Sequence, residues 1–245
     1  MKYISIVLLL LLTVLTGCSA NRTLIDIQEG DFSVTSNYCY INECFTVIRA
    51  TRFQLNNYSL PNGNYESETK ATIISGGKSS VQTEYIRTHV KDDIVTIDTK
   101  GFVGMYNQKT REIIEIAAKT GEISKEQSEI LKDLFKQMAG LSYNNYASSG
   151  DVINYDMRIP FQSAMITLKT KMYVYGLTEY KGKNYPLLEW RGDTSFWSEG
   201  KKIIIFLSGY VIQDGTLNRT IKSVMDLTFR YGNKEDSGKI IMEGI

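Results

Sequence analysis

The chain has 245 residues, with 28 lysines and arginines against 27 aspartates and glutamates, one histidine and a formal net charge of +1. No basic tract or stripe interrupts this balance, which argues against nucleic acid as a partner. One histidine beside three cysteines leaves too few strong ligands for a zinc site, so neither a metal nor a cofactor is expected.

The N-terminal stretch combines a positive start at Lys2 with an apolar run over residues 4–15, and it closes on Leu15-Thr16-Gly17-Cys18. A short apolar core that ends in small residues before a cysteine resembles the signal of a bacterial lipoprotein. The resemblance implies a signal peptide over residues 1–17, cleavage before Cys18, and acyl chains such as palmitate on Cys18. Residues 18–30 are then the lipidated cysteine and a tether.

The apolar run is too short for a permanent membrane span. Its 12 residues would rise about 18 Å as a helix, against a hydrocarbon layer of about 30 Å. Two or three acyl chains make attachment lasting, so the mature chain is expected to be anchored to a bilayer without crossing it. The alternatives are a cytoplasmic protein with a buried N-terminal helix and a secreted protein cut elsewhere.

Ser19, and not an aspartate, follows the cysteine of this motif. In enteric-type bacteria the lipoprotein resemblance then implies that the protein is transferred across the periplasm to the outer membrane and is not retained in the inner membrane. The expected location is therefore the bacterial cell envelope, lipid-anchored, with the outer membrane favoured.

Two further cysteines, Cys39 and Cys44, are separated by four residues. Cysteines at this spacing can face each other across a tight hairpin, and an exported location is oxidising. The prediction is a structural disulfide. The alternative, a redox pair, lacks Cys-x-x-Cys spacing.

The sequence predicts mainly strands, separated by turns, in the first half of the chain after the tether. His89 shares a strand face with Tyr85 and Arg87, away from the apolar Ile86 and Val90, so we expect a solvated histidine and not a catalytic base. The predicted strands cover residues 46–48, 53–55, 71–75, 81–90 and 94–103, with turns at 61–64 and 76–78.

The middle of the chain carries the clearest helical pattern. Ser124 and Gln127 form a capping box, an apolar stripe runs to Met138, and Gly140 follows. The sequence therefore predicts an amphipathic helix over residues 124–138, while residues 111–118 fit a strand or a helix equally well. Residues 141–154 are predicted to form a long surface loop.

The second half returns to strand patterning. In residues 224–231, Met225, Leu227 and Phe229 share one face while Asp226 and Thr228 share the other, as in a half-buried antiparallel strand. The fold class predicted is a single β-dominated α+β domain over residues 31–245, a large curved antiparallel sheet with one helix packed on it. The other predicted strands are residues 165–168, 171–176, 185–190 and 202–212, with a hairpin turn at 179–184.

No catalytic constellation is recognisable in the sequence. Ser-x-x-Lys occurs at Ser67 and Ser75, but Lys119-Thr120-Gly121 precedes Ser142-Tyr143-Asn144, the reverse of the order in penicillin-recognising serine enzymes. We therefore do not expect an enzyme, although an envelope hydrolase with its site in the 141–154 loop remains an alternative.

Aromatic residues are concentrated between residues 173 and 197, and such clusters can form a binding surface or a core. The leading functional hypothesis is a non-catalytic binding or structural lipoprotein of the envelope, with a protein, glycan or lipid partner. The alternative is a carrier of an acyl chain or other apolar ligand. The candidate surface residues are Tyr173, Tyr175, Tyr180, Tyr185, Trp190 and Trp197.

Overall fold

The computed structural model describes residues 22–23, 35–55, 60–75, 77–110, 112–119, 129, 132, 146–161, 164–198, 200–216 and 219–244. In this part of the chain the secondary-structure elements are all β-strands. They are β1 (Arg22–Thr23), β2 (Thr35–Tyr40), β3 (Glu43–Ile48), β4 (Phe53–Gln54), β5 (Gly63–Ser75), β6 (Lys78–Lys91), β7 (Ile94–Asp98), β8 (Phe102–Asn107), β9 (Ile113–Ala118), β10 (Tyr146–Ala147), β11 (Val152–Phe161), β12 (Ala164–Tyr180), β13 (Lys183–Ser198), β14 (Lys201–Asp214), β15 (Arg219–Tyr231) and β16 (Lys234–Gly244).

Most strands belong to one antiparallel sheet that curls into a half-barrel. Its order is β1-β11-β12-β13-β14-β15-β16-β5-β6-β7-β8-β9, and the β2–β3 hairpin joins it through β3, which pairs with β12. Two runs of neighbouring strands, β11 to β16 and β5 to β9, are held side by side by the pairing of β16 with β5. This long-range pairing makes one continuous sheet of two distant parts of the chain.

The α+β class predicted from the sequence is wrong for the described residues, whose secondary-structure elements are β-strands with no helix among them. The predicted helix over residues 124–138 lies outside them except for Glu129 and Lys132. These two residues have helical backbone conformation, and Lys132 Nζ lies 3.0 Å from Glu129 Oε1.

Several segments without a clear strand pattern are strands because a neighbour in the sheet pairs with them. Residues 234–244 were not predicted as a strand, yet β16 lies between β15 and β5. The pattern of residues 111–118 fitted a strand and a helix equally well, and the structure shows residues 113–118 as strand β9, paired with β8.

Two predicted boundaries are also corrected. The strand predicted over residues 94–103 is β7 and β8 with a turn between them, in which the Thr99 N–H donates to the Phe102 carbonyl at 3.0 Å. Conversely, the strands predicted over 165–168 and 171–176 are parts of one strand, β12.

A β-bulge lets β12 bend midway along its length. The register with β13 shifts between Val174 and Gly176, where Gly176 has φ of 147°. A Cβ there would lie 2.5 Å from the Ile48 carbonyl oxygen and 2.8 Å from Ser149 Oγ. Glycine therefore allows β3 and the loop before β11 to approach the sheet closely.

Candidate functional site

The long strands present two faces of different character, because successive side chains in a strand point to opposite sides. Trp190 on β13, Val211 on β14 and Met225 on β15 share one face and one buried cluster. Tyr210 and Val224 belong to a second cluster on the other side. We name the face of Trp190 the apolar face and the face of Tyr210 the hairpin face.

The apolar face carries a row of side chains across seven neighbouring strands. Trp190 lies at its centre beside Gly209, which leaves room on the face for the Met225 side chain. Trp190 and Met225 are 0% exposed, so the middle of this face is filled. The row consists of Ile153, Met172, Trp190, Gly209, Met225, Ile240 and Ile73.

One end of the apolar face is closed by the small sheet of β4 and β10. Phe53, Leu55 and Ala147 are buried in the same cluster as Trp190. The Gln213 side-chain amide donates to the Leu55 carbonyl at 3.0 Å. This buried hydrogen bond attaches the β4 segment to the end of β14.

The other end, which we call the tip, comprises the described residues of the β13–β14 and β15–β16 turns with the adjoining strand ends, residues 194–198, 200–206 and 228–236. Phe196, Ile203 and Phe229 are only partly buried there, and Tyr231 is 39% exposed. From the Trp190 row to Phe196, Ile203 and Phe229, β13 to β15 place no charged described residue on the apolar face, and Lys201 follows at the turn. The apolar face is therefore accessible to solvent at the tip.

The opposite face is covered in part by the β2–β3 hairpin. Cys39 pairs directly with Cys44 in the register and forms a disulfide with it, with Cα atoms 4.1 Å apart, so the predicted disulfide is confirmed. From this hairpin, Tyr40 and Phe45 pack against Tyr210, with ring centroids 5.9 and 4.9 Å away. The disulfide thus closes a hairpin that carries aromatic rings onto the sheet.

Glu43 links the start of β3 to the sheet. It accepts a hydrogen bond from the Tyr210 hydroxyl, and Lys222 Nζ lies 2.8 Å from its Oε2. Burial acts to raise the pKa of Glu43, but the hydrogen bonds from Lys222 and Tyr210 outweigh it, so the pKa is lowered. Burial and the bond to Glu43 raise the pKa of the Tyr210 hydroxyl.

Tyr40 makes a second polar link between the hairpin and the sheet. Its hydroxyl donates to Asp226 Oδ2 at 2.8 Å and lies 3.0 Å from Ser208 Oγ. Lys239 Nζ lies 3.6 Å from the other oxygen of Asp226. Burial chiefly raises the pKa of Tyr40 to about 12.

Glu189, on β13, is the centre of a third group of hydrogen-bonded side chains on the hairpin face. Its side chain is 6% exposed, accepts a 2.6 Å hydrogen bond from the Tyr175 hydroxyl and is 2.7 Å from Arg191 Nε. Burial and the bond to Glu189 raise the pKa of Tyr175 to about 12. The ring of Tyr38 packs on Tyr175 at 4.4 Å, and its buried hydroxyl makes no hydrogen bond within the described structure.

The six aromatic residues singled out from the sequence do not form one surface. The four tyrosines lie on the hairpin face, partly buried. Trp190 is 0% exposed on the apolar face, whereas Trp197 is 72% exposed at the tip. The sequence analysis did not single out Tyr38, Tyr40 and Tyr210. The only local indication was that Tyr38 and Tyr40 flank Cys39.

The described part of the 141–154 loop uses its polar groups for packing. Ser149 Oγ accepts from the Ala50 N–H at 2.9 Å, and the Ser148 hydroxyl donates to the Thr51 carbonyl. Asp151 Oδ2 accepts from the Ser148 N–H at 2.9 Å. The bonds to Ala50 and Thr51 attach the loop to the chain that follows β3, and the bond between Ser148 and Asp151 lies within the loop.

His89 lies exposed on β6, as predicted, with its Nδ1 2.6 Å from Asn64 Oδ1. In the described ranges no three His, Cys, Asp or Glu side chains are grouped so that they could hold a metal ion. No helix among the described residues has the length and apolar character needed to cross a membrane.

No protein-family model matches the chain. A comparison with curated proteins also finds no match.

Proposed function

We propose that the chain is a lipid-anchored, non-catalytic binding protein of the bacterial cell envelope, attached through acyl chains on Cys18. Its folded body takes an apolar chain, such as an acyl chain, on the part of the apolar face that opens at the tip. The outer membrane is the proposed location, because Ser19 follows Cys18.

The observation that carries the binding proposal is the partial exposure of the apolar face at the tip. Phe196, Ile203, Phe229 and Tyr231 contact water there, although they continue a buried apolar cluster. Burial of apolar area contributes about 25 cal/mol per Å², so an apolar chain laid over these side chains would be stabilised. Because the middle of the face is already filled, the site is confined to the tip.

The carboxylates of the hairpin face form hydrogen bonds that stabilise the fold, which is compatible with a binding protein. Glu43, Asp226 and Glu189 each accept a hydrogen bond from a tyrosine and lie beside a lysine or arginine. These bonds hold the hairpin and the strands together. These three carboxylates therefore help to keep rigid the sheet that carries the proposed binding site.

Adjacent residues of β14 offer a matched test of the binding site. Ile203 lies on the apolar face and Ile204 on the hairpin face, and both are partly buried. Ile203→Asn is expected to weaken the binding of a fluorescent fatty acid at least tenfold, whereas Ile204→Asn should change it less than twofold. Equal affinities in the two variants, with similar thermal unfolding, would reject the site.

The anchor is tested separately in cells. Labelled palmitate should be incorporated into the wild-type chain and not into Cys18→Ala, which should also leave the membrane fraction or retain its leader. Separation of inner and outer membranes tests the proposed location. Equal distribution of both chains without label would refute the anchor.

A further inference from the structure

We infer that the tip docks into the headgroup region of a lipid bilayer, with Trp197 and Tyr231 as interfacial side chains. The inference deepens the proposed function, since it rests on the anchoring at Cys18 to bring a bilayer near. It adds a second, non-covalent contact and an orientation for the folded body.

The tip exposes three aromatic rings. Trp197 is 72% exposed, Tyr231 39% and Phe206 38%. Tryptophan and tyrosine suit the membrane interface because their rings enter the apolar boundary while their polar atoms stay hydrated.

Each exposed ring lies beside a cation. Trp197 pairs across the strands with Lys202, and Tyr231 pairs with Lys234. The Arg230 guanidinium lies over the Phe206 ring at 5.2 Å. Long cationic side chains beside interfacial rings can reach lipid phosphates while their stems remain in apolar surroundings.

The charge of the tip is compatible with a phosphate-bearing surface. Its cations are Lys201, Lys202, Arg230 and Lys234, against Glu199, Glu235 and Asp236 in the sequence. One of the acids, Glu235, is in an ion pair with Arg230 at 2.5 Å. The three lysines that remain outnumber the two remaining acids, so the tip carries a small net positive charge.

A similar pairing at the opposite end shows what distinguishes the tip. Tyr180 pairs with Lys183 beside the β12–β13 turn. Its ring, however, packs into the cluster beneath the β2–β3 hairpin. The rings of Trp197 and Tyr231 are the more exposed ones and can enter a bilayer.

The β13–β14 hairpin separates from the β11–β12 hairpin toward the tip. The pairing of β12 with β13 runs only as far as Lys169 and Asp193, whereas β12 stays paired with β11 to Ala164 and β13 with β14 to Ser198. Within the described structure Trp197 therefore lies on a strand that is paired only on its β14 side. This free strand edge leaves the ring accessible to the headgroup layer.

The acylation site is close in sequence to the folded body. Arg22 pairs with Ile153 and Thr23 with Val152, antiparallel to β11, so β1 runs away from the tip end of the sheet. Cys18 precedes Arg22 by four residues, at most about 14 Å of chain, so acylation would hold the folded body within reach of the bilayer.

Docking at the tip would also connect the bilayer with the proposed binding site. Phe196, Ile203 and Phe229 are partly buried on the apolar face at this end. An apolar chain leaving the lipid would meet these side chains without first crossing water. The tip would thus be both the contact with the bilayer and the entrance for the apolar chain.

The two tryptophans provide a direct test, since Trp190 is buried and Trp197 exposed. The lipidated chain is reconstituted in phosphatidylcholine vesicles with phosphatidylglycerol, and its fluorescence is measured with lipids brominated near the headgroup or deep in the acyl chains. Shallow bromines should quench the emission at least twofold more than deep ones. Trp197→Phe should abolish the quenching.

Charge reversal tests the lysines against a matched control. In the Cys18→Ser chain, which cannot be acylated, the further change Lys201→Glu/Lys202→Glu should weaken partition onto these vesicles by about thirty-fold. The same reversal at Lys181 and Lys183, at the opposite end, should change it less than threefold. Equal losses in both pairs would overturn the inference.

These measurements separate the docking from the anchor. If the lipidated chain floats with the vesicles while Trp197 is unquenched and open to iodide, the docking is wrong and the anchor stands. Unquenched Trp197 on pure lipid vesicles is also the result expected if the natural partner of the tip is a protein and not a bilayer. If the wild-type chain carries no lipid but still shows the tip-dependent partition, the anchor is wrong and the docking stands.

Discussion

Gly209 shows how strictly the sheet constrains a single residue. It lies at the centre of the long apolar row, where a Cβ would overlap the Val224 carbonyl oxygen and lie 2.8 Å from Met225 Cα. The obstacle is backbone of the adjacent strand, which cannot move without disturbing the pairing. Glycine is thus required here for space and not for an unusual φ.

Gly209→Ala is therefore expected to lower the free energy of unfolding by at least about 2 kcal/mol. The measurement is urea unfolding followed by circular dichroism. Gly101 offers the control, because a Cβ there would have nothing within 4 Å and its φ is not positive. Gly101→Ala should change stability by less than about 0.5 kcal/mol, and an equal loss in both variants would contradict the explanation.

Tyr38 and Tyr175 pack ring against ring but differ in their hydroxyl groups. The Tyr38 hydroxyl is buried without a hydrogen bond in the described structure, whereas that of Tyr175 donates to Glu189. A buried polar group without a partner costs about 1–3 kcal/mol, and a hydrogen bond to a charged group contributes about 1.5–3 kcal/mol.

Removing one hydroxyl should therefore have the opposite effect to removing the other. Tyr38→Phe is expected to raise the free energy of unfolding by about 1 kcal/mol, and Tyr175→Phe to lower it by about 1.5 kcal/mol. Chemical denaturation of both variants under one set of conditions gives the comparison. A loss of stability in Tyr38→Phe would show that its hydroxyl has a partner.

Among the elements, the β2–β3 hairpin depends most on a covalent bond. Its six-residue strands pair with each other, but β3 meets β12 at only two positions, Ile48 with Leu177 and Val47 with Thr178. Its remaining described attachment is through side chains, chiefly Tyr40, Glu43 and Phe45. The disulfide keeps those side chains in position by holding the two strands together.

The double variant Cys39→Ser/Cys44→Ser is expected to lose about 2 kcal/mol of stability, because a short loop is no longer closed in the unfolded chain. Hydrogen exchange should also rise in the hairpin more than in β14. Reduction of the wild-type chain should reproduce both effects. Unchanged exchange in the hairpin would mean that its side chains hold it without the disulfide.

At the scale of the whole molecule, four tyrosines of the hairpin and the sheet beneath it make stability depend on alkaline pH. Burial raises the pKa of Tyr40 and Tyr175 to about 12, and it raises the pKa values of Tyr38 and Tyr210 as well. In the unfolded chain these groups titrate near 10. Above that pH the unfolded chain releases protons that the folded chain retains, so folding becomes less favourable.

The free energy of unfolding should therefore hold steady up to about pH 10 and fall between about pH 10 and 12. Denaturant unfolding across this range, with tyrosinate absorbance recorded in parallel, is the measurement. Tyr40→Phe combined with Tyr175→Phe should make the decline shallower. Tyr146→Phe, at an exposed position, is the control, and an equal change there would contradict the assignment to the buried tyrosines.

The sequence by itself determined the local features of this chain. Its alternation predicted the strand over residues 223–231, and the spacing of Cys39 and Cys44 predicted their disulfide. Both depend on neighbours along the chain, because a strand has a period of two residues and a short hairpin brings its own cysteines together. The lipoprotein leader is likewise a local pattern, and the anchor at Cys18 stays a prediction.

Only the tertiary structure decided which faces are buried and which segments become strands. Trp190 and Trp197 lie seven positions apart on β13, so alternation places them on opposite faces, but it does not tell which ring is covered. Packing in a cluster with residues distant in sequence, such as Phe53 and Leu55, buries Trp190, while the position of Trp197 near the β13–β14 turn leaves it exposed. The same dependence on distant partners makes β16 a strand beside β5 and brings Tyr210 under the hairpin, since burial and backbone pairing need groups that lie far away in the sequence.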